Sequence, residues 1–230
     1  MGNIYNQKNM ILATTAINKP YTESAEKLLK VLDRKIYDIR VLTDDPERFK
    51  EYGTTTYSNI IFSYYDKLIY AFQLALKEKQ GVLFVDANKI HAMTPDFHHH
   101  FKGSDDYCFV GYWDYGNSIW KDTDINGSYW DKLTDYLKLA DFPINLLRPL
   151  LETVFYIPYD SRLRNVTKYI EVLKPIIEYN SMFEKSIYNH RGNGEGMGIA
   201  FSLLLNNIKP KFFTKKQIYE LDPEKKIILR

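Results

Sequence analysis

Three clusters of polar side chains in this chain have the composition to do chemistry. The first is Asp86-Ala87-Asn88, which closes the apolar run Gly81-Val82-Leu83-Phe84-Val85. Two oxygen-bearing side chains one residue apart, just past a strand, can straddle a crevice and hold Mg²⁺ or Mn²⁺ carrying a diphosphate. Asp and Asn also end strands simply because they favour turns. The second cluster is His98-His99-His100. Consecutive histidines on a strand point to alternate faces, and in a loop they are solvated, so metal binding is the lesser reading there. The third, Asp122-Thr123-Asp124-Ile125-Asn126-Gly127, imitates the start of a calcium loop, but Leu133 stands where the bidentate Glu belongs. It reads as a turn with exposed acids.

The elements that must position the Asp86 tip follow from patterning. A short apolar run opened by Gly81 suits a strand buried on both faces of a parallel sheet. Polar groups at the carboxyl end of such a strand face a ligand crevice. Before it, Asp66 to Lys79 places Leu68, Ile69, Phe72, Ala75 and Leu76 at helical spacing. Further upstream, Met10 to Ile17 predicts a strand, Thr22 caps a helix over Glu23 to Leu32, and Ile36 to Leu42 predicts a second strand. Strand, helix, strand in that order predicts a parallel sheet covered by helices. Gly53 to Ser58 reads as a polar loop and Ile60 to Phe62 as a short strand. Downstream, strands are expected at Tyr107 to Trp113, Leu150 to Ile157 and Ile227 to Leu229. Helices are expected at Trp130 to Leu139, at Arg162 to Tyr179 with an interruption at Pro175, and at Met197 to Asn207 behind a glycine-rich loop, His190 to Gly196. No repeat or linker-like stretch divides the chain, so a single domain is expected.

Composition narrows the classes. The chain has 230 residues, 45% hydrophobic and 26% charged, the balance of an ordered globular protein. Cys108 is the only cysteine, which excludes an internal disulfide and a cysteine-based zinc cluster. No apolar run reaches the ~20 residues of a membrane span, and Met1-Gly2-Asn3-Ile4-Tyr5 lacks a signal-peptide pattern, so a cytoplasmic protein is expected. The net charge of +2 is unevenly spread: Ser161 to Arg230 holds 13 basic and 7 acidic residues, whereas Glu51 to Asp160 holds 9 and 15. A basic C-terminal third suits an anionic partner such as nucleic acid, or simply a set of solvated helix faces. No Gly-x-x-x-x-Gly-Lys-Ser/Thr and no Gly-x-Ser-x-Gly is present, and Met197 stands where a dinucleotide fingerprint starting at Gly192 needs its third glycine.

The run from Tyr65 to Ile90 resembles the donor-binding core of GT-A-fold, nucleotide-sugar-dependent glycosyltransferases. In that family a helix bearing a basic residue leads into a hydrophobic strand capped by Asp-x-Asp; here the basic residue is Lys67 and the cap is Asp86-Ala87-Asn88. Thr14 and Thr15 on the first strand, and Val41-Leu42-Thr43-Asp44-Asp45-Pro46, fit the nucleotide-binding half of that fold. Gly194-Glu195-Gly196 resembles the acidic site near the acceptor. The pattern spans Met10 to Asn207. It implies an α/β, GT-A-like (Rossmann-like) domain over 1–230, with a mostly parallel central sheet flanked by helices. The nucleotide-sugar half would lie at about 1–115 and the acceptor half at about 116–230.

The same resemblance implies the chemistry. Thr14, Thr15, Asp44, Lys67, Asp86, Asn88 and Arg191 would bind the donor, a UDP-sugar such as UDP-glucose or UDP-arabinose. Asn88 departs from the family, which places a second, metal-holding Asp there. Either Asp86 and Asn88 with a histidine (His91 or His190) complete a Mn²⁺ or Mg²⁺ site, or Lys67 and Arg191 neutralise the diphosphate. Glu195, at a helix N-terminus that favours its ionised form, or Asp114, would deprotonate the acceptor hydroxyl if configuration inverts. A weaker resemblance links the chain to bacteriophage enzymes that glycosylate hydroxymethylated or already glycosylated DNA bases. Duplex DNA would then meet Arg162, Arg164, Lys168, Lys209, Lys211, Lys215 and Lys216 through its phosphates. The alternatives are transfer to a bacterial surface glycan, a non-catalytic nucleotide-sugar-binding protein, or a sugar nucleotidyltransferase, which shares the sheet but needs a glycine-rich loop after the first strand that this chain lacks.

Overall fold

A computed structural model describes residues 10–59, 63–87, 93–111, 150–179 and 193–221. Its centre is β1 (Met10–Ala16), buried along nearly its whole length. β1 pairs in parallel with β2 (Tyr37–Thr43) on one side and with β4 (Val82–Val85) on the other. β3 (Gly53–Thr56) extends the sheet beyond β2, again in parallel. On the far side, β6 (Val154–Ile157) runs antiparallel to β4, followed by β5 (Cys108–Phe109) and β7 (Lys211–Phe212). The strand order is β3-β2-β1-β4-β6-β5-β7. This is the α/β arrangement expected of a GT-A-like chain: a mostly parallel central sheet flanked by helices.

Two hydrophobic cores sandwich the sheet. On one face, Ile11, Ala13, Val82, Phe84, Phe155 and Ile157 pack against α2 (Tyr64–Glu78), α3 (Leu163–Tyr179) and α4 (Asn193–Leu205). The rings of Phe84 and Phe155 stack 4.9 Å apart, and Phe155 also stacks on Phe72 and Phe109. On the other face, Leu12, Ala16, Leu83, Val85, Val154 and Tyr156 pack against α1 (Lys19–Val31), the 3-10 helix Pro95–Phe101 and α5 (Lys215–Leu221). Burial on both faces explains why β4 is apolar at every position. Each such side chain contributes roughly 1.5–3 kcal/mol on leaving water.

Several elements differ from expectation for identifiable reasons. α1 starts at Lys19, three residues ahead of Thr22, because Pro20 fits a first helical turn, where its missing N–H is not needed. The Thr22 hydroxyl instead donates to the Asn18 carbonyl at 2.9 Å. β3 was expected to be a loop; it is a polar edge strand whose exposed threonines need only β2 as a partner. β6 is antiparallel and begins at Val154, since residues 150–153 turn towards α4. β5 is reduced to two residues. α3 runs through Pro175 without a break.

α4 begins at Asn193, so Gly194 and Gly196 belong to the helix and not to a loop ahead of it. The reason is close packing. A Cβ at Gly196 would fall 2.2 Å from the Leu150 carbonyl oxygen, and one at Gly198 would fall 2.0 Å from the Tyr65 hydroxyl. The Leu150 N–H donates to the Gly196 carbonyl at 3.1 Å, and the Leu151 N–H donates to the Gly111 carbonyl at 2.9 Å. The elements expected at Ile60 to Phe62, Trp130 to Leu139 and Ile227 to Leu229 lie outside the described residues. No helix among the described residues is long and apolar enough to cross a membrane.

Candidate functional site

Parallel pairing places the carboxyl ends of β1, β2, β3 and β4 along one edge of the sheet, and antiparallel β6 brings its amino end to the same edge. The chain winds outward from β1 through β2 to β3 and then crosses to β4, on the other side of β1. The tips of β1 and β4 therefore flank a topological switch point, where open α/β sheets bind ligands. Asp86 stands at that point. Its N–H donates to the Thr153 carbonyl at 2.8 Å, tying the β4 tip to the approach of β6. The Thr14 hydroxyl donates to the Val85 carbonyl at 2.7 Å and braces β1 to the same tip.

α2 opens at this edge. The Ser63 hydroxyl caps it by accepting from the Tyr65 N–H at 3.0 Å, which sets Lys67 in its first turns, over β4. The Lys67 ammonium lies 3.5 Å from Asp86 Oδ2. Both are buried, at 4% and 8% exposure, and Glu152, at the amino end of the neighbouring strand β6, is buried at 6%. Glu152 immediately precedes Thr153, the residue that accepts from Asp86. Its Oε2 lies 3.3 Å from the position a Cβ on Gly196 would take.

Among the described residues, Lys67, Asp86 and Glu152 are the only buried Lys, Arg, Asp or Glu side chains. Such groups are almost never buried without a purpose that offsets their desolvation. Three of them at one strand edge make a candidate functional site. Two anions against one cation leave the trio with a formal charge of −1. Sequence reasoning passed over Glu152. The available signal was a lone carboxylate within Leu150 to Ile157, a run otherwise apolar enough to read as a buried strand.

On the β1–β2 side of the switch point the backbone is fixed tightly. The Thr43 hydroxyl donates to the Ala16 carbonyl at 2.8 Å, and the Asn18 N–H donates to the Asp44 carboxylate at 3.1 Å. Asn18 sits at φ 65°, ψ 154°, a strained region for a residue with a side chain. Beyond β3, the Tyr57 hydroxyl donates to Asp66 at 2.6 Å, and Asp66 also pairs with Lys174. Burial first, then this bond to Asp66, pushes the Tyr57 phenol above its ordinary range.

The structure thus brings Thr14, Thr15, Asp44, Lys67 and Asp86 to one edge. Thr14 and Thr15 are both buried, and the Thr14 hydroxyl is engaged by Val85 within the sheet. Glu195 lies in the first turn of α4, next to Gly196, with its side chain outside the described set. Asn88, His91, Asp114, His190 and Arg191 lie outside the described residues.

Asp86 offers the hard oxygen that Mg²⁺ or Mn²⁺ prefers, but among the described residues no group of three His, Cys, Asp or Glu side chains gathers to hold a metal. The histidine run lies on the 3-10 helix Pro95–Phe101, with the His98 and His99 rings 3.9 Å apart and His100 paired with Glu220. In the basic C-terminal third, Arg162 pairs with Asp160 at 2.6 Å, Lys211 with Asp106 at 2.6 Å and Lys216 with Glu220 at 3.8 Å.

No family model matches the chain, and no curated protein matches it in sequence. Among solved structures, 4-diphosphocytidyl-2C-methyl-D-erythritol synthase from Anaerococcus prevotii is similar over 94% of this chain and 97% of its own, at 10% identity and a TM-score of 0.44. A likeness of that degree bears on neither substrate nor reaction, and the fold class rests on the sheet itself.

Proposed function

We propose that this chain binds a nucleoside-diphosphate sugar along the carboxyl edge of its sheet and transfers the sugar to a hydroxyl acceptor. The observation that carries the reading is the buried Lys67–Asp86 pair at the β1–β4 switch point, with buried Glu152 at the amino end of β6 on the same edge. In the reaction, the bond between the anomeric carbon and the diphosphate oxygen breaks, and its electron pair leaves with the nucleoside diphosphate. The acceptor oxygen bonds to the anomeric carbon and loses its proton to a carboxylate. Lys67 supplies a preorganised positive charge beside the leaving diphosphate, where it is worth more than in water. Glu195 or Asp114 is our candidate for the base if configuration inverts. Thr14 braces the tips of β1 and β4, Thr15 lies beside it on β1 as a further donor-binding candidate, and Asp44 with the Asn18 backbone forms the nucleoside end.

Mn²⁺ or Mg²⁺ is part of the proposal. Asp86 would hold it, with Asn88 and His190, and it would add positive charge against the diphosphate. Arg191 is the alternative source of that charge. The donor we favour is UDP-glucose or UDP-arabinose. For the acceptor we propose a hydroxymethylated or glycosylated base of bacteriophage DNA, on the strength of the basic C-terminal third.

A thermal-shift panel tests the core of this reading. UDP and UDP-sugars should raise Tm, by an amount equivalent to about 2.7 kcal/mol at a hundredfold excess over Kd. Lys67→Ala should abolish the shift, and added Mn²⁺ should enlarge it. No shift with any nucleotide or nucleotide sugar would sink the proposal. A shift without release of UDP to water or to any hydroxyl acceptor would recast the chain as a non-catalytic binder. Equal transfer to unmodified oligosaccharides and none to hydroxymethylated DNA would replace the acceptor.

A further inference from the structure

We propose that Glu152 reads the sugar of the donor and selects a neutral, hydroxyl-bearing sugar over a uronate. This rests on the nucleotide-sugar reading above. The strand tips run in the order β2, β1, β4, β6 across the edge, and each presents a different group: Asp44, the Asn18 backbone, Asp86 with Lys67, and Glu152. A diphosphate held by the cation at β4 has one end over β1 and β2 and the other over β6, one strand spacing of roughly 4.8 Å away. Rigid backbone groups at β1 and β2 suit the nucleoside. The sugar then falls at Glu152.

Glu152 is built into place. Its carboxylate is buried, and bare Gly196 on α4 provides the room in which Oε2 sits, 3.3 Å from where a Cβ would be. The Leu150 carbonyl closes against the same glycine, so the backbone leading into Glu152 is pinned to the first turn of α4. One residue later, Thr153 holds the Asp86 N–H. A carboxylate only accepts hydrogen bonds, and sugar hydroxyls donate them in charge-assisted form. The carboxylate of a uronic acid donor would instead meet a like charge where water does not screen it.

The test compares UDP-glucose with UDP-glucuronate, and both with UDP alone, by affinity and by kcat/KM for UDP release. The wild-type protein should prefer UDP-glucose by about tenfold or more, as expected for repulsion between partly buried like charges. Glu152→Gln should narrow that gap while leaving the affinity for UDP in place, and Glu152→Asp should keep the preference and serve where the Gln variant folds poorly. Equal wild-type use of the two donors would overturn the assignment, even with UDP bound tightly. So would a Glu152→Gln protein that loses UDP and UDP-glucose affinity in step, because that marks a purely structural carboxylate. A wild-type protein that binds no UDP at all fails at the nucleotide reading, and this inference falls with it.

Discussion

At the carboxyl edge of the sheet, Lys67, Asp86 and Glu152 are buried, whereas in the C-terminal third Arg162, Lys211 and Lys216 stand in pairs open to solvent. The C-terminal third has the larger charge in a count along the sequence. It is the edge that has the larger charge in energetic terms. An ion pair in water competes with solvent and salt and contributes little, whereas a buried pair has given up its hydration and depends on its geometry. Charge that a protein keeps dry is the better guide to where it acts, and the basic C-terminal surface bears mainly on how a large anion is approached.

The largest effect should come from breaking the buried pair. Asp86→Ala removes the carboxylate 3.5 Å from the buried Lys67 ammonium and should cost about 3–5 kcal/mol in urea denaturation. The double variant Lys67→Met with Asp86→Leu removes both charges and should recover most of that stability while showing no thermal shift with UDP-sugars. If the double variant bound donor normally, the edge would be structural and its contrast with the C-terminal third would dissolve. Next comes Gly196→Ala, whose Cβ would fall against the Leu150 carbonyl. Overpacking of that kind should cost about 1–3 kcal/mol and weaken donor binding through Glu152. Thr14→Val leaves the Val85 carbonyl without its hydroxyl donor and should cost about 1 kcal/mol, read from the same denaturation curves. The smallest effect belongs to Lys211→Ala and Lys216→Ala. Both should match the parent in stability at physiological salt, while each lowers the salt dependence of binding to hydroxymethylated DNA by about one counterion. A destabilisation as large as that of Asp86→Ala would overturn the distinction drawn between the two regions.

The elements legible in the sequence are those whose side chains report burial. β4 announced itself as four apolar residues after Gly81, and α2 by its amphipathic spacing, so the Lys67–Asp86 pairing across them was within reach. β3 was not, because a polar edge strand is held by backbone bonds to β2 that leave no mark in the pattern. The direction of β6 was equally hidden: a strand buried on both faces looks the same read either way. The start of α4 was concealed by its glycines, which read as loop but are demanded by the Leu150 carbonyl and the Tyr65 hydroxyl. Glu152 was obscured by the same error, since a strand drawn from Leu150 absorbs it, whereas the observed turn before Val154 delivers it to the edge.

The bond between the Leu151 N–H and the Gly111 carbonyl joins two points that lie far apart in the sequence. Gly111 and Leu151 thus hold each other in place at the approach to β6 through backbone alone. Closing a chain over such a gap depends only weakly on its length, each doubling adding about 0.6 kcal/mol. The length of sequence between Gly111 and Leu150 therefore bears little on the strength of that joint.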